Sequence, residues 1–255
     1  MLNFGSMETY TNILLAWTGI SLIAFIVLLF KSAPYGRHSM SSRGPSMPSR
    51  LGWILMESPA VYLMLLFLLF FNKSLGIIEI TFSLIWMVHY IHRSFIWPIR
   101  AKLEGKEITL VVVLLATLFN IVNVYIQGSW IFLYGSYEKE WLWSPFFIIG
   151  LSIFLLGLYI NIRSDNILIK LREDHGSGYH IPKGFLFNKV SNPNYFGEIL
   201  EWLGWFILTL SPAGLVFFIW TMANLIPRAK SNHEWCLLNI EDYPHDRKKI
   251  IPFIY

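Results

Sequence analysis

The chain has few charged residues and almost no cysteine. Of its 255 residues, 14% are charged and 55% are hydrophobic. Soluble domains carry roughly 25% charged residues, so this composition is typical of an integral membrane protein. The single cysteine, Cys236, excludes an intramolecular disulfide and any metal site built from several thiolates.

Two common nucleotide-binding motifs are also missing. Neither G-x-G-x-x-G nor G-x-x-x-x-G-K-[ST] occurs in the sequence, so a Rossmann domain or a P-loop is unsupported. If a dinucleotide binds, loop side chains must hold its phosphates, and the bidentate guanidinium of arginine suits that role. The net charge of +4 predicts no nucleic-acid partner, because the cytoplasmic loops of a membrane protein account for it.

Long apolar runs indicate that the chain crosses a membrane seven times. A helix needs about 20 apolar residues to cross the hydrocarbon core, and the candidate runs are 11–30, 52–71, 76–98, 108–134, 142–162, 198–211 and 213–227. The last two are short and are separated by Ser211-Pro212-Ala213-Gly214, which we interpret as a hairpin turn rather than a break in one helix. The sequence therefore predicts an all-α membrane protein with a single domain, residues 1–255.

Basic residues are distributed unevenly around these spans. Lys73 and Lys139 fall on one side, and the other 18 of the 20 Lys and Arg residues fall on the opposite side. Cytoplasmic loops carry an excess of Lys and Arg, so we expect an outside N-terminus, a cytoplasmic C-terminus and an odd number of crossings. The residues before the first span contain Glu8 and no basic residue, which argues against a cleavable signal peptide. A multi-pass protein of the bacterial cell membrane or of the endoplasmic reticulum is expected.

Glu57 lies near the start of the second predicted span. Ionisable residues inside spans are costly and are often functional. Desolvation disfavours the charged form of a carboxyl group, so Glu57 can be neutral and donate a hydrogen bond. The alternative is a structural glutamate that bonds to a neighbouring helix.

The third span contains His89-Tyr90-Ile91-His92-Arg93. The two histidines and Arg93 share roughly one helix face, and a metal site on the histidines is one interpretation. A membrane di-iron enzyme needs several histidine clusters, however, and of the seven histidines only this pair lies on a span, so we expect no metal. Tyr90 points elsewhere, and a tyrosine hydroxyl beside a protonated carboxyl group can stabilise a carbonyl that becomes an enolate.

Two polar stripes at helical spacing lie in or beside the long polar stretch 163–197. Asn161, Asp165 and Arg172 extend the fifth span if its helix continues past the membrane. Asn194, Glu198 and Glu201 head the sixth span, where two carboxylates need partners that basic residues of the preceding loop can supply. The first stripe is either a solvated helix end or a ligand-facing surface. The second stripe is either a structural ion-pair cluster or a ligand-facing surface. Because such polar stretches often carry function, we place the cofactor site there, at the cytoplasmic surface.

Several long motifs in this chain resemble those of the steroid 5α-reductase family. They are residues 161–172 (NIRSDNILIKLR), 179–187 (YHIPKGFLF), 190–202 (VSNPNYFGEILEW), 241–244 (EDYP) and 251–255 (IPFIY), together with 35–38 (YGRH), Glu57 and 89–93 (HYIHR). The resemblance runs from about residue 33 to the end of the chain, and we expect a microbial member of the family.

The resemblance implies a monomeric seven-helix reductase that takes NADPH from the cytoplasmic side and a steroid-like enone from the membrane lipid. It implies that hydride reaches C5 of a Δ4-3-oxosteroid whose 3-ketone contacts Glu57 and Tyr90, with Trp53 and Met56 as substrate contacts. The cofactor elements are mainly 161–201 and 228–255. The implied cofactor residues are Tyr35, Asn161, Asp165, Arg172, Tyr179, Asn194, Glu198 and Arg228.

Some residues depart from the family pattern, and other functions stay open. Met56 stands where the mammalian enzymes commonly carry Gln, and this departure bears on the steroid preference. His180 replaces a basic residue of the family, and this departure bears on the cofactor contacts. The alternatives are a reductase of trans-2-enoyl-CoA or of a sterol double bond, an isoprenylcysteine-type methyltransferase, and a lipid-binding protein without activity.

Overall fold

The computed structural model describes residues 5–31, 44–70, 76–176 and 178–255, and these residues are mostly helical. Within them the α-helices are α1 (Met7–Phe30), α2 (Ser49–Glu57), α3 (Pro59–Phe70), α4 (Ile77–Ile91), α5 (Trp97–Arg100), α6 (Leu110–Ser129), α7 (Pro145–His175), α8 (Pro193–Thr209) and α9 (Pro212–Asn239). The helical content agrees with the predicted all-α class, and one short strand pair accompanies the helices: β1 (Ser46–Pro48) pairs antiparallel with β2 (Glu107–Thr109).

Four helical segments are long and apolar enough to cross a membrane within the described part of the chain. They are Met7–Phe30, Ser49–Phe70, Leu110–Tyr134 and Pro145–His175. Large apolar side chains such as Leu15 and Ile23 of α1 are exposed on the outside of the protein, where lipid would cover them. The segments fit a helical integral membrane protein and account for four of the seven predicted crossings.

The α-helical hydrogen-bond pattern of the second predicted span is interrupted beside Glu57, although Ser49–Phe70 remains one helical segment. Pro59 has no backbone N–H and cannot donate to the carbonyl four residues earlier, so α2 ends at Glu57 and α3 begins at Pro59. The carboxyl of Glu57 is therefore presented at a helix end, where it is half-buried.

A π-helical turn, His92–Ile96, connects α4 to α5. It lies inside the predicted span 76–98 and contains Arg93. Single π turns insert an extra residue into a helix and are frequent at functional sites. The turn shifts the face on which Arg93 lies relative to a regular α-helix.

Helices α7 and α8 pack with their backbones in close contact through glycines spaced seven residues apart. These residues are Gly150 and Gly157 on α7, and Gly197 and Gly204 on α8. A Cβ atom on Gly197 would lie 2.5 Å from the backbone nitrogen of Asn161 and 2.7 Å from the carbonyl oxygen of Gly157. The α7 helix also continues to His175, so Asn161, Asp165 and Arg172 lie on one helix, as the sequence predicts.

The hairpin between α8 and α9 is confirmed. Leu210 adopts a left-handed conformation with φ 38° after the end of α8, and the Ser211 Oγ accepts a hydrogen bond from Gly214 N at 2.8 Å. The two helices then run back along each other, since Asn192 Nδ2 donates to the Ala229 carbonyl at 3.1 Å. Helix α1 packs on α9, where Trp220 Nε1 donates to the Trp17 carbonyl.

The C-terminal tail is fixed to the segment before α8. Ser191 N donates to the Lys248 carbonyl at 2.8 Å, and Lys248 N donates to the Lys189 carbonyl at 2.9 Å. Asn192 Nδ2 adds a bond to the Lys249 carbonyl at 2.9 Å. The tail therefore closes the end of the bundle at which α8 begins.

Candidate active site

The side chains of Glu57 and Tyr90 meet at a single amide, that of Asn120 on α6. Asn120 Nδ2 donates to Glu57 Oε2 at 3.1 Å and to the Met56 carbonyl at 2.7 Å. The Tyr90 hydroxyl donates to Asn120 Oδ1 at 3.5 Å. Three helices thus converge on this point: the end of α2, the last turn of α4 and the middle of α6.

Aromatic rings enclose Tyr90. Its ring lies 4.6 Å from that of Trp86 and 5.8 Å from that of Trp202, and the residue is buried. These rings belong to the main hydrophobic core, in which Trp86, Trp202 and Trp205 are fully buried. The phenol therefore has little rotational freedom, while its hydroxyl faces the polar group formed by Glu57 and Asn120.

His89 and Glu201 form a buried pair beside this group. His89 Nδ1 lies 2.8 Å from Glu201 Oε1, and the side chain of Glu201 is 0% exposed. The partner of Glu201 is thus a histidine of α4. The sequence alone suggests a different partner, a basic residue of the preceding loop. Among the described residues, Glu201 Oε2 has no hydrogen-bond partner.

Arg93 links the two halves of the site. Its guanidinium lies over the rings of Trp53 and Trp97, 4.6 and 4.8 Å from their centroids, which are cation–π distances. Its Nη1 lies 4.0 Å from Asp165 Oδ2, and the carboxyl groups of Glu57 and Glu198 are close enough to interact with it. One partly buried cation, with its side chain 20% exposed, therefore faces carboxyl groups from α2, α7 and α8.

The two polar stripes meet between α7 and α8. Asn161 Nδ2 donates to the Asn194 carbonyl at 3.1 Å, and Asn194 Nδ2 donates to Asp165 Oδ1 at 3.1 Å. Asn161 and Asp165 are buried. Arg172, farther along α7, interacts electrostatically with Asp165. The close glycine packing explains the arrangement, because it brings both stripes within hydrogen-bonding distance.

Helix α9 contributes a second arginine. Arg228 is buried, and its Nε donates to the Tyr195 hydroxyl at 3.3 Å. Asn232 Nδ2 donates to the same hydroxyl at 3.3 Å and to Asn192 Oδ1 at 3.0 Å. Arg228 is thus connected to the residue that follows Asn194 on α8.

The remaining predicted site residues lie apart from this group. The ring of Tyr179, which is 48% exposed, lies 4.5 Å from that of Trp235. The side chain of Met56 is buried against Ile108 and Val113. Met56 therefore contacts the site only through its backbone carbonyl, which accepts the bond from Asn120. Tyr35 lies outside the described residues.

Asn120 is not among the site residues predicted from the sequence, although the sequence contains a signal for it. Asn120, Asn123 and Gln127 are amides in the apolar run 108–134, and all three are buried. A buried amide requires partners as a buried carboxyl does. Applying that rule to uncharged residues would have identified this face of α6 as part of a polar site.

A hydrogen-bonded chain at the tail includes His233, outside the predicted spans. The Tyr243 hydroxyl donates to Ser191 Oγ at 2.8 Å, and Ser191 Oγ lies 2.7 Å from His233 Nδ1. Burial lowers the pKa of His233, and the neighbouring charge of Lys249 lowers it further.

The described residues contain no group of three or more His, Cys, Asp or Glu side chains that would hold a metal ion.

Comparisons with known proteins agree with these motifs. The family model of 3-oxo-5-alpha-steroid 4-dehydrogenase matches residues 106–255. Steroid 5-alpha-reductase DET2 of Arabidopsis thaliana is 41% identical over 240 residues, which cover 90% of each chain. The 3-oxo-5-alpha-steroid 4-dehydrogenase 1 of Mus musculus is 36% identical with 92% of each chain covered. That of Homo sapiens is 37% identical, with 87% of this chain and 86% of the human protein covered.

Proposed function

The chain belongs to the 3-oxo-5-alpha-steroid 4-dehydrogenase family of oxidoreductases, and on that premise we propose that it reduces the Δ4 double bond of a 3-oxosteroid with NADPH. The observation that carries the proposal is the junction of Glu57, Tyr90 and Asn120. It holds a carboxyl and a phenol, the two donors that a ketone oxygen needs, beside each other in an aromatic enclosure.

In the proposed mechanism Glu57 and Tyr90 donate hydrogen bonds to the 3-ketone oxygen of the steroid. As hydride arrives at C5, negative charge develops on that oxygen, and both donors stabilise the enolate. Solvent or a nearby acid then protonates C4, which restores the 3-ketone and completes the saturation of the C4–C5 bond. Removing one preorganised donor of this kind typically lowers kcat on the order of 100- to 1000-fold.

The ring of Trp53, which carries the Arg93 guanidinium on one face, is proposed as one wall of the steroid site. Met56 is assigned to this site on the resemblance of its motif alone, because its side chain packs against Ile108 and Val113.

NADPH supplies the hydride when it is bound. We assign its binding to the polar group between α7 and α8, Asn161, Asp165, Asn194 and Glu198, together with Arg172 and Arg228. The donor set fits a dinucleotide. The buried amide of Asn161 and the buried carboxyl group of Asp165 suit hydroxyl and carboxamide groups, and arginines suit phosphates. Tyr35 and Tyr179 are assigned to the same cofactor on the resemblance of their motifs.

We further propose seven crossings, with the cofactor side in the cytoplasm. The four apolar segments supply four of them, and α4 with α5, α8 and α9 supply the other three. The C-terminal tail and the start of α8, which are tied together, then lie at the same cytoplasmic surface. We also propose that the protein acts as a monomer.

Product identification tests the function directly. Purified protein in detergent micelles is given NADPH with testosterone or progesterone, and the products are separated by chromatography and identified by mass spectrometry against 5α- and 5β-dihydro standards. The proposal requires the 5α product and equimolar oxidation of NADPH. A trans-2-enoyl-CoA and S-adenosylmethionine with an isoprenylcysteine form the comparison arms. Turnover only in one of those arms would replace steroid reduction by that activity.

A further inference from the structure

The amide of Asn120 uses both of its N–H groups and its oxygen at once. Nδ2 donates to the Met56 carbonyl at 2.7 Å and to Glu57 Oε2 at 3.1 Å, and Oδ1 accepts from the Tyr90 hydroxyl at 3.5 Å. The residue is 3% exposed, so water does not compete for these bonds. The reverse orientation of the amide would place its oxygen against two other oxygens, so the contacts themselves fix the orientation.

We propose that Asn120 is a positioning residue that sets the geometry of Glu57 and Tyr90 for the reduction. This inference rests on the proposed function of the two residues. The two bonds from Nδ2 hold the end of α2, and with it the carboxyl group of Glu57, against α6. The amide oxygen faces the Tyr90 hydroxyl, so that both donors address one oxygen atom.

The bond to Oε2 also orients the carboxyl group of Glu57. Because Asn120 Nδ2 donates to Oε2, Oε1 is the oxygen that Asn120 does not engage, and it is the one that can turn toward the ketone. Without the Asn120 amide this rotation of the carboxyl group is no longer restrained from that side.

The contact with Tyr90 is of a different kind. Hydroxyl hydrogen bonds are usually 2.5–3.0 Å long, so a bond of 3.5 Å is weak. Tyr90 can exchange it for a bond to the ketone oxygen at little cost. Asn120 therefore orients the hydroxyl before the steroid binds without retaining it afterwards.

A double-mutant cycle distinguishes this role from a structural one. Asn120→Leu keeps the size of the side chain and removes all three bonds. We expect kcat for the Δ4-3-oxosteroid to fall about 100-fold, the scale of a misplacement of about 1 Å, with an unchanged dissociation constant for NADPH. In a Glu57→Leu background the same change is expected to cost about tenfold or less, because the carboxyl group that Asn120 positions is already absent and the two changes are then not additive.

Gln127→Leu is the matched control, seven residues away on the same helix. Gln127 is a buried amide that donates to the Ala213 carbonyl at 2.8 Å and accepts from Trp205 Nε1 at 2.9 Å, with no role in the site. Its loss is expected to lower thermal stability and to change kcat by the same factor in both backgrounds. Asn120→Ala, taken through the same cycle, replaces Asn120→Leu if that variant does not fold.

The outcomes separate this inference from the proposed function. A smaller penalty for Asn120 in the Glu57→Leu background than in the wild type, with equal penalties for Gln127, supports the positioning role. Equal penalties for Asn120 in both backgrounds, or near-normal kcat in Asn120→Leu, would reject the positioning role. The proposed function would still stand in that case, provided that the wild-type protein reduces the steroid. Failure of the wild-type protein to reduce any of the steroids would reject the proposed function itself.

Discussion

The side-chain amide of Asn161 on α7 donates to the backbone carbonyl of Asn194 on α8 at 3.1 Å. This bond is possible because Gly197 lets the two backbones approach closely next to Asn161. The helices cannot separate without breaking the bond, so the packing of α7 on α8 and the assigned cofactor site depend on the same glycine.

Gly197→Ala is expected to destabilise the protein and to weaken NADPH binding. The added Cβ would lie 2.5 Å from Asn161 N and 2.7 Å from Gly157 O, and backbone atoms cannot move aside as a flexible side chain can. Overpacking of this kind costs about 1–3 kcal/mol. Gly19→Ala on α1 is the control, because a Cβ there meets nothing within 4 Å. Equal unfolding temperatures for the two variants would contradict the account of the helix crossing.

Arg172→Ala and Arg228→Ala are each expected to raise the KM for NADPH about tenfold or more. Hydrogen bonds to charged groups contribute about 1.5–3 kcal/mol, and the phosphates have no glycine-rich loop to hold them. Arg163→Ala is the matched control, since Arg163 is an exposed arginine on the same helix as Arg172. Initial rates at varied NADPH concentration measure the effect, and an unchanged KM in both variants would reject the assignment of the phosphate contacts.

Labelling of single cysteines tests the orientation. In a Cys236→Ser background, Lys183→Cys is expected to resist a membrane-impermeant maleimide added to intact cells, as are cysteines placed in 31–51, 100–107 and 228–255. Glu138→Cys, in the loop before α7, is expected to react, and both Lys183 and Glu138 are exposed to solvent. Ready labelling of Lys183→Cys in intact cells would overturn the cytoplasmic assignment.

Mild acid is expected to loosen the C-terminal tail. Burial lowers the pKa of His233 below the unfolded value of about 6.5, so the folded state favours the neutral imidazole. The corresponding stability is fully present above pH about 6.5 and is lost as the pH falls toward the lower folded pKa. The unfolding temperature of the wild type should therefore drop more between pH about 7.5 and about 5.5 than that of His233→Asn, an uncharged replacement. Parallel pH profiles would show that His233 does not contribute.

Periodic and ordered features of the chain could be predicted from its sequence. The hairpin at Ser211 follows from a local turn signal, and the helical stripe from Asn161 to Arg172 follows from spacing; both are confirmed. The break after Glu57 was not predicted, although Pro59 signals it, because the apolar run continues across the proline.

Pairings between distant segments could not be predicted in the same way. The bond between His89 and Glu201 joins residues 112 positions apart, and no local pattern selects His89 over the loop lysines as the partner of Glu201. Similarly, Asn120 lies 63 residues from Glu57. Its importance depends on how α6 packs against α2 and α4, which the composition of α6 does not specify.

The most direct test of the account is the activity of Glu57 and Tyr90 variants toward a Δ4-3-oxosteroid, measured together with NADPH binding. Glu57→Gln keeps a hydrogen-bond donor and is expected to retain measurable activity. Glu57→Leu and Tyr90→Phe each remove a donor to the enolate oxygen and should lower kcat on the order of 100- to 1000-fold, while all three variants bind NADPH as the wild type does. Reduction of the steroid at near-normal rates by both Glu57→Leu and Tyr90→Phe would contradict the proposed mechanism.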